Sequence, residues 1–410
     1  MASVLLRAAT RRVASTAAPV QMLSSFSSPS SWVILGRIPR VSADLSLALS
    51  APPRVSTLAI PPRLFPDPVT PDNFPAVLAI EPSAGVLLLH ADQGRATGPT
   101  VVDRPGDHSF CWREFVPGYF VLDATSASAL ALPDPDLILH PGHIGILASP
   151  ASGYMVAELQ SIIGGDHATL LCFSSDLGRW VKKRLHYPLP PRILAPNGVV
   201  AHHGRLWWVD LSWGLITCDP FADAPVLDFV PLPPAKALQY GEAWGVLDRY
   251  RAVSVSAGKL RFVDMYTSGG CVGDRKVGVW TLADPDSTEW TLEHEARFAD
   301  IWAHPSYKAA GLPDKIPVLA LIHPKDPAVV YFFLEEHLFG VDLRSRSVVE
   351  REAYELVAPP RDHVATRFVH AWELPRAISS ASVLMNRRSK DQTEENLSPT
   401  SMASDMKNKD

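Results

Sequence analysis

The sequence has 410 residues, of which 47% are hydrophobic and 38 are proline, so it can bury a large core but leaves little room for long helices. The net charge of −5, the pI near 6.3 and the absence of a Lys/Arg stripe argue against a nucleic-acid partner. No run of 18 or more apolar residues occurs, so no membrane-spanning helix is expected.

Residues 1–31 have the composition of an organellar transit peptide. They are rich in Ser and Ala and contain Arg7, Arg11 and Arg12, and the first acidic residue of the chain is Asp44. Because the arginines come early in an Ala/Leu-rich frame, we predict a mitochondrial transit peptide rather than a plastid one. The alternative is a disordered leader without an address, which would leave the protein in the cytoplasm or nucleus.

Residues 202–234 predict a β-meander. Residues 205–210 alternate as a strand does, and residues 211–214 supply a turn in which Gly214 can adopt a positive φ. A return strand at 215–218 is interrupted by Asp219-Pro220, because proline has no N–H for the ladder. A third strand at 226–230 completes the unit.

A hairpin with an aspartate at its turn recurs along the chain. Copies lie at residues 119–133, 170–185, 217–232, 279–295 and 339–352, with the marker aspartates 43 to 65 residues apart. Propeller blades of four strands repeat about every 40 to 50 residues. With a further strand pair at 140–145 and 155–159, the repeat predicts an all-β, β-propeller-like domain of about six irregular four-stranded blades.

The predicted domain spans residues 32–375. The first strand, at 32–41, and the last, at 367–374, are placed to complete one blade together and so to remove exposed sheet edges. Residues 376–410 are rich in Ser, Asn, Lys and Asp, and we expect a disordered polar tail there.

A second repeat relates two strands of the chain. The segment GRLWWVD at 204–210 recurs as GKLRFVD at 258–264. The alignment places Leu206 and Trp208 on the buried face. Trp207 on the other face either packs between neighbouring blades or projects as an aromatic contact for a partner. Trp207 and Trp213 are the predicted binding residues.

Residues that could carry chemistry do not combine into a recognised motif. His140-Pro-Gly-His143 reads as a loop without a third metal ligand, and His202-His203 should point to opposite faces of a strand. Glu335-Glu336-His337 resembles a hairpin tip. Four aspartates at strand ends are interpreted as turn residues: Asp123, Asp219, Asp264 and Asp342. We therefore predict no catalytic residue, metal ligand or cofactor.

The four cysteines, Cys111, Cys172, Cys218 and Cys271, lie far apart and form no C-x-x-C pair. This spacing favours free thiols in a reducing compartment, and Cys172 and Cys218 are interpreted as small buried residues.

The segments LLCFSSDLGRW, GRLWWVDLSWGLITCDPF, FVPLPP, VWTLADP, YFFLEEHLFGVDL and FVHAWEL occur in this order. Together they resemble the plant domain of unknown function 1618, a family expanded in grasses, over roughly residues 32–375. The resemblance implies no reaction and no catalytic residues. Some members are similar to the propeller domains that follow an F-box, but the Leu-Pro-x-Asp/Glu pattern of such a box does not precede this domain.

The scaffold and the tryptophans predict a non-catalytic interaction module for an unknown protein partner, and we expect a monomer. The alternative is a small-molecule hydrolase or lyase with a site in the central channel. Carboxylates or histidines from several blades that meet around the axis would favour the enzyme, whereas an axis lined by small and apolar side chains would favour the binding module.

Overall fold

The computed structural model describes residues 31–378 except 99, 105–106, 113, 136–138, 150, 152, 162–164, 188, 190–193, 240–244, 268–274 and 355–367. The predicted transit peptide, apart from Ser31, and the predicted tail beyond residue 378 lie outside these residues, as does Cys271. Within the described part of the chain, no helix has the length and apolar character needed to cross a bilayer.

Five antiparallel sheets of four strands are the regular blades of the fold. Blade 1 contains β5 (Ala76–Glu81), β6 (Val86–His90), β9 (Tyr119–Asp123) and β10 (Ser128–Ala131). Blade 2 contains β11 (Ile144–Ala148), β12 (Tyr154–Ser161), β13 (His167–Ser174) and β14 (Arg179–His186). Blade 3 contains β15 (Val199–His202), β16 (Arg205–Asp210), β17 (Gly214–Cys218) and β18 (Asp228–Pro231). Blade 4 contains β19 (Arg251–Ser256), β20 (Lys259–Thr267), β21 (Arg275–Leu282) and β22 (Trp290–Arg297). Blade 5 contains β23 (Val318–Ile322), β24 (Val329–Leu334), β25 (His337–Asp342) and β26 (Ser347–Ala353).

A sixth sheet joins the two ends of the domain. This closing sheet contains β1 (Trp32–Gly36), β2 (Arg40–Val41), β3 (Ser46–Ala48), β4 (Val55–Ile60) and β27 (Val369–Glu373). β27 pairs antiparallel with β1, with Ile34 opposite Ala371, which confirms that the first and last strands complete one sheet. β1 and β4, in contrast, are parallel.

The prediction of about six four-stranded blades is corrected to five regular blades and one sheet of different construction. The reason lies in residues 37–75, which lack the Asp-turn hairpin and contain several prolines, among them Pro52 and Pro53. Proline cannot donate to a ladder, so this segment adds only short strands beside β4.

The domain has no single hydrophobic core. The buried apolar side chains of the described residues form six clusters, and each cluster lies between two neighbouring sheets of the ring. Ile378, which is 7% exposed, belongs to the cluster between the closing sheet and blade 1, so the packed body reaches past residue 375. Every blade is therefore covered on both faces, as a closed ring requires.

The five hairpins recognised in the sequence are the two outer strands of the five regular blades. Their aspartates make turns: Asp123 accepts from the Thr125 amide at 2.7 Å, Asp219 from Phe221 at 2.8 Å and Asp342 from Arg344 at 2.8 Å. The turn role predicted for Asp264 is wrong, because this residue lies inside β20, is 1% exposed and forms an ion pair with Arg251.

The innermost strands are β5, β11, β15, β19, β23 and β27. Hydrogen bonds between neighbouring inner strands connect the end of one strand to the end of the next, or the start of one to the start of the next. The Ala148 amide at the end of β11 donates to Glu81 at the end of β5 at 3.4 Å, and His370 contacts the Val77 carbonyl oxygen at 3.0 Å near the starts of β27 and β5. The six strands thus run in one direction along the axis. We call the face where they begin the upper face and the face where they end the lower face.

Two insertions extend the upper face. The hairpin of β7 (Thr100–Arg104) and β8 (Asp107–Cys111) lies between β6 and β9. Two short helices, α1 (Phe298–Ala303) and α2 (Pro305–Ala309), connect blade 4 to blade 5. Short 3-10 turns occur at Pro141–His143 and Leu247–Arg249.

Candidate functional site

Trp207 lies between blades and not on a rim. Its side chain is 0% exposed, it belongs to the cluster formed by blades 3 and 4, and its indole Nε1 donates to the His202 carbonyl oxygen at 3.1 Å. Arg261, the equivalent residue of the second repeat, is also buried and forms an ion pair with Glu293. The packing interpretation therefore holds for Trp207, whose ring no partner can reach in the folded protein.

Trp213 is the more accessible of the two predicted binding residues. It is half-buried in the turn between β16 and β17, and its ring lies 4.7 Å from that of Phe229, centroid to centroid. The Leu211 amide in the same turn donates to the Asn197 side chain at 3.1 Å, and Asn197 comes just before β15. Trp213 thus lies on the upper face, and its role as a partner contact stays a prediction.

The six innermost strands enclose a central channel. Its volume is about 790 Å³, and each of the six sheets contributes to its wall. The middle of the wall consists mainly of small and aliphatic side chains, such as Ala79, Val199, Ala252 and Ala320. This is the kind of axis that the sequence analysis associated with a binding module.

Polar groups are found mainly at the ends of the channel. The lower opening is lined by Glu81, Ser83, Ser149, His202, His203 and Glu373. Glu81 is 6% exposed and accepts from the Ser83 amide at 3.1 Å, so its carboxylate organises the turn after β5. The upper opening is lined by Arg37, Pro141, Gly142, Asn197 and Gly198.

His202 and His203 adopt an arrangement that strand alternation does not predict. β15 ends at His202, and His203 has a φ of 51°, so the chain has already left the strand. The two rings are in edge contact with centroids 4.6 Å apart. Burial, reinforced by the charge of His203, lowers the pKa of His202 to about 4. The expectation that they point to opposite faces is thus wrong.

A cluster of His140, His143 and Glu158 lies beside the upper opening. One potential ligand atom from each side chain is within 4.8 Å of the other two. Among the described residues, this is the one group of three or more His, Cys, Asp or Glu side chains that come this close together. Glu158 is on β12 opposite Ile144, the residue that follows His143. The expectation that the histidines have no nearby carboxylate is therefore wrong: sequence separation concealed Glu158, which strand register brings to them.

The electrostatics of this cluster follow from burial. Glu158 is 0% exposed, and burial raises its pKa even though hydrogen bonds and charge from His140 act in the opposite direction. Burial, with the nearby His140, lowers the pKa of His143 to about 4. The site thus holds a desolvated carboxyl group beside a neutral imidazole at neutral pH.

The remaining predicted features have structural roles. Glu335 and Glu336 form the tip of the β24–β25 hairpin, where Lys315 pairs with Glu335 at 2.8 Å. Cys172 and Cys218 are free and buried, and burial raises the pKa of each thiol to about 12. Both thiols are therefore protonated at neutral pH and are unsuited to act as nucleophiles.

Comparison with solved structures finds matches of low similarity, two of which are described as β-propeller domains. AztD from Citrobacter koseri is 13% identical, with 70% of this chain and 72% of that chain covered and a TM-score of 0.29. The Cps50 (Swd1) β-propeller domain from Myceliophteria thermophila is 9% identical, with 70% and 87% covered and a TM-score of 0.29. The Nup133 β-propeller domain from Vanderwaltozyma polyspora is 9% identical, with 66% and 72% covered and a TM-score of 0.29.

Comparison of sequences finds a family match over part of the chain. No curated protein matches the chain. The family described as "Protein of unknown function (DUF1618)" matches residues 208–331, which run from Trp208 in blade 3 through blade 4 to Tyr331 in blade 5. This match over residues 208–331 agrees with the family resemblance drawn from the sequence motifs.

Proposed function

We propose that this protein is a non-catalytic interaction module that binds a protein partner on its upper face, around the opening of the central channel. The observation that carries the proposal is the presence of two accessible tryptophans on that face. Trp213 is in the β16–β17 turn, and Trp112, 75% exposed, is in the insertion that leaves and rejoins blade 1 on the upper face. Tryptophan is among the residues most enriched at the energetic centres of protein interfaces.

The channel supports the same proposal. Its aliphatic wall and polar openings provide a concave surface to which all six sheets contribute, and a partner segment could extend from the upper face into it. The three groups that meet within ligand distance come from blade 2 alone and lie beside the opening. Among the described residues, carboxylates and histidines from several blades thus do not meet around the axis, which is the arrangement that the sequence analysis associated with the hydrolase or lyase alternative.

The experiment compares exposed apolar residues on opposite faces. Trp112→Ala and Trp213→Ala alter the upper face, and Leu177→Ala is the matched control, because Leu177 is 58% exposed in the β13–β14 turn on the lower face. Proximity labelling in the native cell identifies partners of the unmodified chain, and binding of the purified pair is then measured for each variant.

Loss of a tryptophan at the centre of an interface costs at least about 2 kcal/mol, roughly thirty-fold in Kd. We expect a loss of this size for at least one tryptophan variant and less than a three-fold change for Leu177→Ala. Equal affinities of all three variants and the unmodified protein would contradict an upper-face site. Circular dichroism confirms that each variant is folded.

We also propose that the protein is imported into mitochondria. The support is the composition of residues 1–31, with Arg7, Arg11 and Arg12 and no acidic residue. A fluorescent protein fused after residue 40 should enter mitochondria, and replacement of the three arginines by glutamine should leave it in the cytosol. A diffuse signal from the unmodified fusion would refute the proposal.

A further inference from the structure

The turn before β11 holds two imidazoles side by side. Residues Pro141–His143 form a 3-10 turn in which the His143 amide donates to the His140 carbonyl oxygen at 2.9 Å. The two rings have centroids 5.4 Å apart and planes inclined at 32°. Trp208 of blade 3 donates from its indole Nε1 to the His143 carbonyl oxygen at 2.7 Å, which attaches the turn to the neighbouring blade. The backbone between the two histidines is thus held by the tertiary structure.

Glu158 of β12 places a carboxylate next to this turn, because it lies opposite Ile144, the residue that follows His143. Its Oε1 accepts from the His140 amide at 2.9 Å and lies 2.9 Å from His140 Nδ1, and its Oε2 accepts from Gln160 Nε2 at 3.0 Å. The side chain is 0% exposed. Burial of a carboxylate costs free energy unless a cation or a full set of hydrogen-bond donors compensates it. The buried position of Glu158 therefore requires such a cation or such donors close to its oxygens.

The donor set is suited to a transition-metal ion. Two imidazole nitrogens and one carboxylate oxygen form a three-ligand zinc site of the kind that keeps a fourth position open. With bonds of about 2.0–2.1 Å and tetrahedral angles, ligand atoms are about 3.3 Å apart and two imidazole centroids are about 5 Å apart. The ring spacing of 5.4 Å agrees with this geometry, and the 2.9 Å contact between His140 and Glu158 would need to open by only about 0.4 Å.

We propose that His140, His143 and Glu158 bind one divalent transition-metal ion of the zinc class at the upper face. The His140 side chain is 58% exposed, so the ion can enter from solvent and its fourth ligand is water or a group from outside the domain. The second oxygen of Glu158 is held by Gln160, which orients the carboxylate as outer partners orient metal ligands. This proposal does not depend on the proposed protein partner.

A purely structural role is the competing explanation, because the contacts of His140 with Glu158 could serve only to fix the turn. Metal binding distinguishes the two roles. The full chain, purified without a polyhistidine tag and stripped with a chelator, is titrated with Zn²⁺ in competition with a chromophoric chelator. Co²⁺ is then substituted to record the visible absorption of a tetrahedral site.

The variants are Glu158→Gln, which keeps the side-chain size, and His143→Gln, which removes one imidazole. The matched control is His202→Gln, since His202 and His203 are the other adjacent pair of rings beside the channel and belong to no three-ligand set among the described residues. Because the sequence has four cysteines, the readout is the difference between variants and not the total metal bound.

We expect one ion per chain in the unmodified protein and in His202→Gln, and at least a ten-fold loss of affinity in Glu158→Gln and in His143→Gln. Zn²⁺ should raise the Tm of the stripped unmodified protein but not that of the two ligand variants. If Glu158→Gln does not fold, His143→Gln decides. Equal affinity of His143→Gln and the unmodified protein, or an equal loss in His202→Gln, would overturn the proposal.

Discussion

At the scale of single residues, Trp207 and Trp208 show how a strand inside a propeller differs from a strand in an open sheet. Adjacent side chains of β16 point to opposite faces, yet both indoles are 0% exposed. Trp208 packs in the cluster between blades 2 and 3, and Trp207 packs in the cluster between blades 3 and 4. Alternation correctly assigns the two faces, but it cannot show that a second blade covers the face that carries Trp207.

Truncation of Trp207 and truncation of Trp208 should therefore destabilise the protein by similar amounts. Trp207→Ala and Trp208→Ala should each lower the free energy of unfolding by about 3–5 kcal/mol, because each leaves a large buried cavity. Trp213→Ala, at a half-buried position, should cost clearly less. Urea unfolding of the three variants measures this. A small loss for Trp207→Ala would contradict its position between the blades.

His323 predicts a dependence of stability on pH. Its Nδ1 accepts from the amides of Lys325 at 3.0 Å and Asp326 at 2.9 Å, and burial lowers the pKa of this histidine. The folded state thus favours the neutral ring, so its stabilisation is complete above the unfolded pKa of about 6.5 and is lost as the pH falls below that value.

His323→Asn is the informative variant, because its Oδ1 can accept the same two bonds but does not titrate. The ring also contacts Trp32 at a centroid distance of 4.5 Å, so the variant should be less stable at pH 7.5. Between pH 7.5 and 5.5 the unmodified protein should lose more stability than the variant. Parallel curves of unfolding free energy against pH would show that the titration of His323 does not matter.

At the scale of elements, β20 contains an aspartate whose role differs from that of the repeated turn aspartates. Asp264 lies opposite Arg251 of β19, and its Oδ1 accepts from Arg251 Nε at 3.1 Å. Lys236 Nζ lies 3.1 Å from Asp264 Oδ2 and 3.1 Å from the centroid of the Tyr266 ring. Arg251 also donates to the carbonyl oxygens of Leu211 and Lys236, so one buried charge network connects blade 4 to the segments before it.

Removal of the Asp264 charge should destabilise blade 4 strongly. Asp264→Asn leaves the 8% exposed Arg251 without its anionic partner, and the loss of one partner from a buried ion pair typically costs about 3–5 kcal/mol. Asp123→Asn is the matched control, because an amide oxygen can still accept the turn bonds at that half-buried position. Chemical denaturation should show a cost below about 1 kcal/mol for the control. Similar costs for the two variants would argue against a buried network.

The metal cluster also shows what strand register contributes. His140 and His143 are visible in the sequence as a pair three residues apart, but Glu158 lies 15 residues beyond His143 and inside an apolar strand. Only the antiparallel register of β11 and β12, with Ile144 opposite Glu158, brings the carboxylate under the turn. An acidic residue within an otherwise apolar strand, as in MVAEL at 155–159, is the signal in the sequence that could have indicated it.

At the scale of the whole molecule, closure of the ring depends on one antiparallel pair. β27 is the innermost strand of the closing sheet, and its Trp372 is 0% exposed and packs between this sheet and blade 1. Without β27, β1 loses its partner and the clusters on both sides of the closing sheet lose side chains.

A chain that ends at residue 366 should therefore lose cooperative thermal unfolding and associate through the exposed edge of β1. A chain that ends at Ile378 keeps the contacts of β27 and is the control. Calorimetry and size-exclusion chromatography distinguish the two. A monomeric shorter chain with an unchanged Tm would contradict the importance of closure.

The sequence by itself determined the all-β class, the five Asp-turn hairpins, the meander at 202–234 and the pairing of the first and last strands. The all-β class, the hairpins and the meander are local patterns of alternation and turn chemistry, which do not depend on distant parts of the chain. The pairing of the first and last strands follows instead from the closure that a ring of repeated sheets needs. Only the tertiary structure decided that Trp207 is buried, that Asp264 is an ion-pair partner, that the sixth sheet is irregular and that Glu158 joins His140 and His143. Each of these depends on which sheets become neighbours and in what register, and both are set by packing around the closed ring.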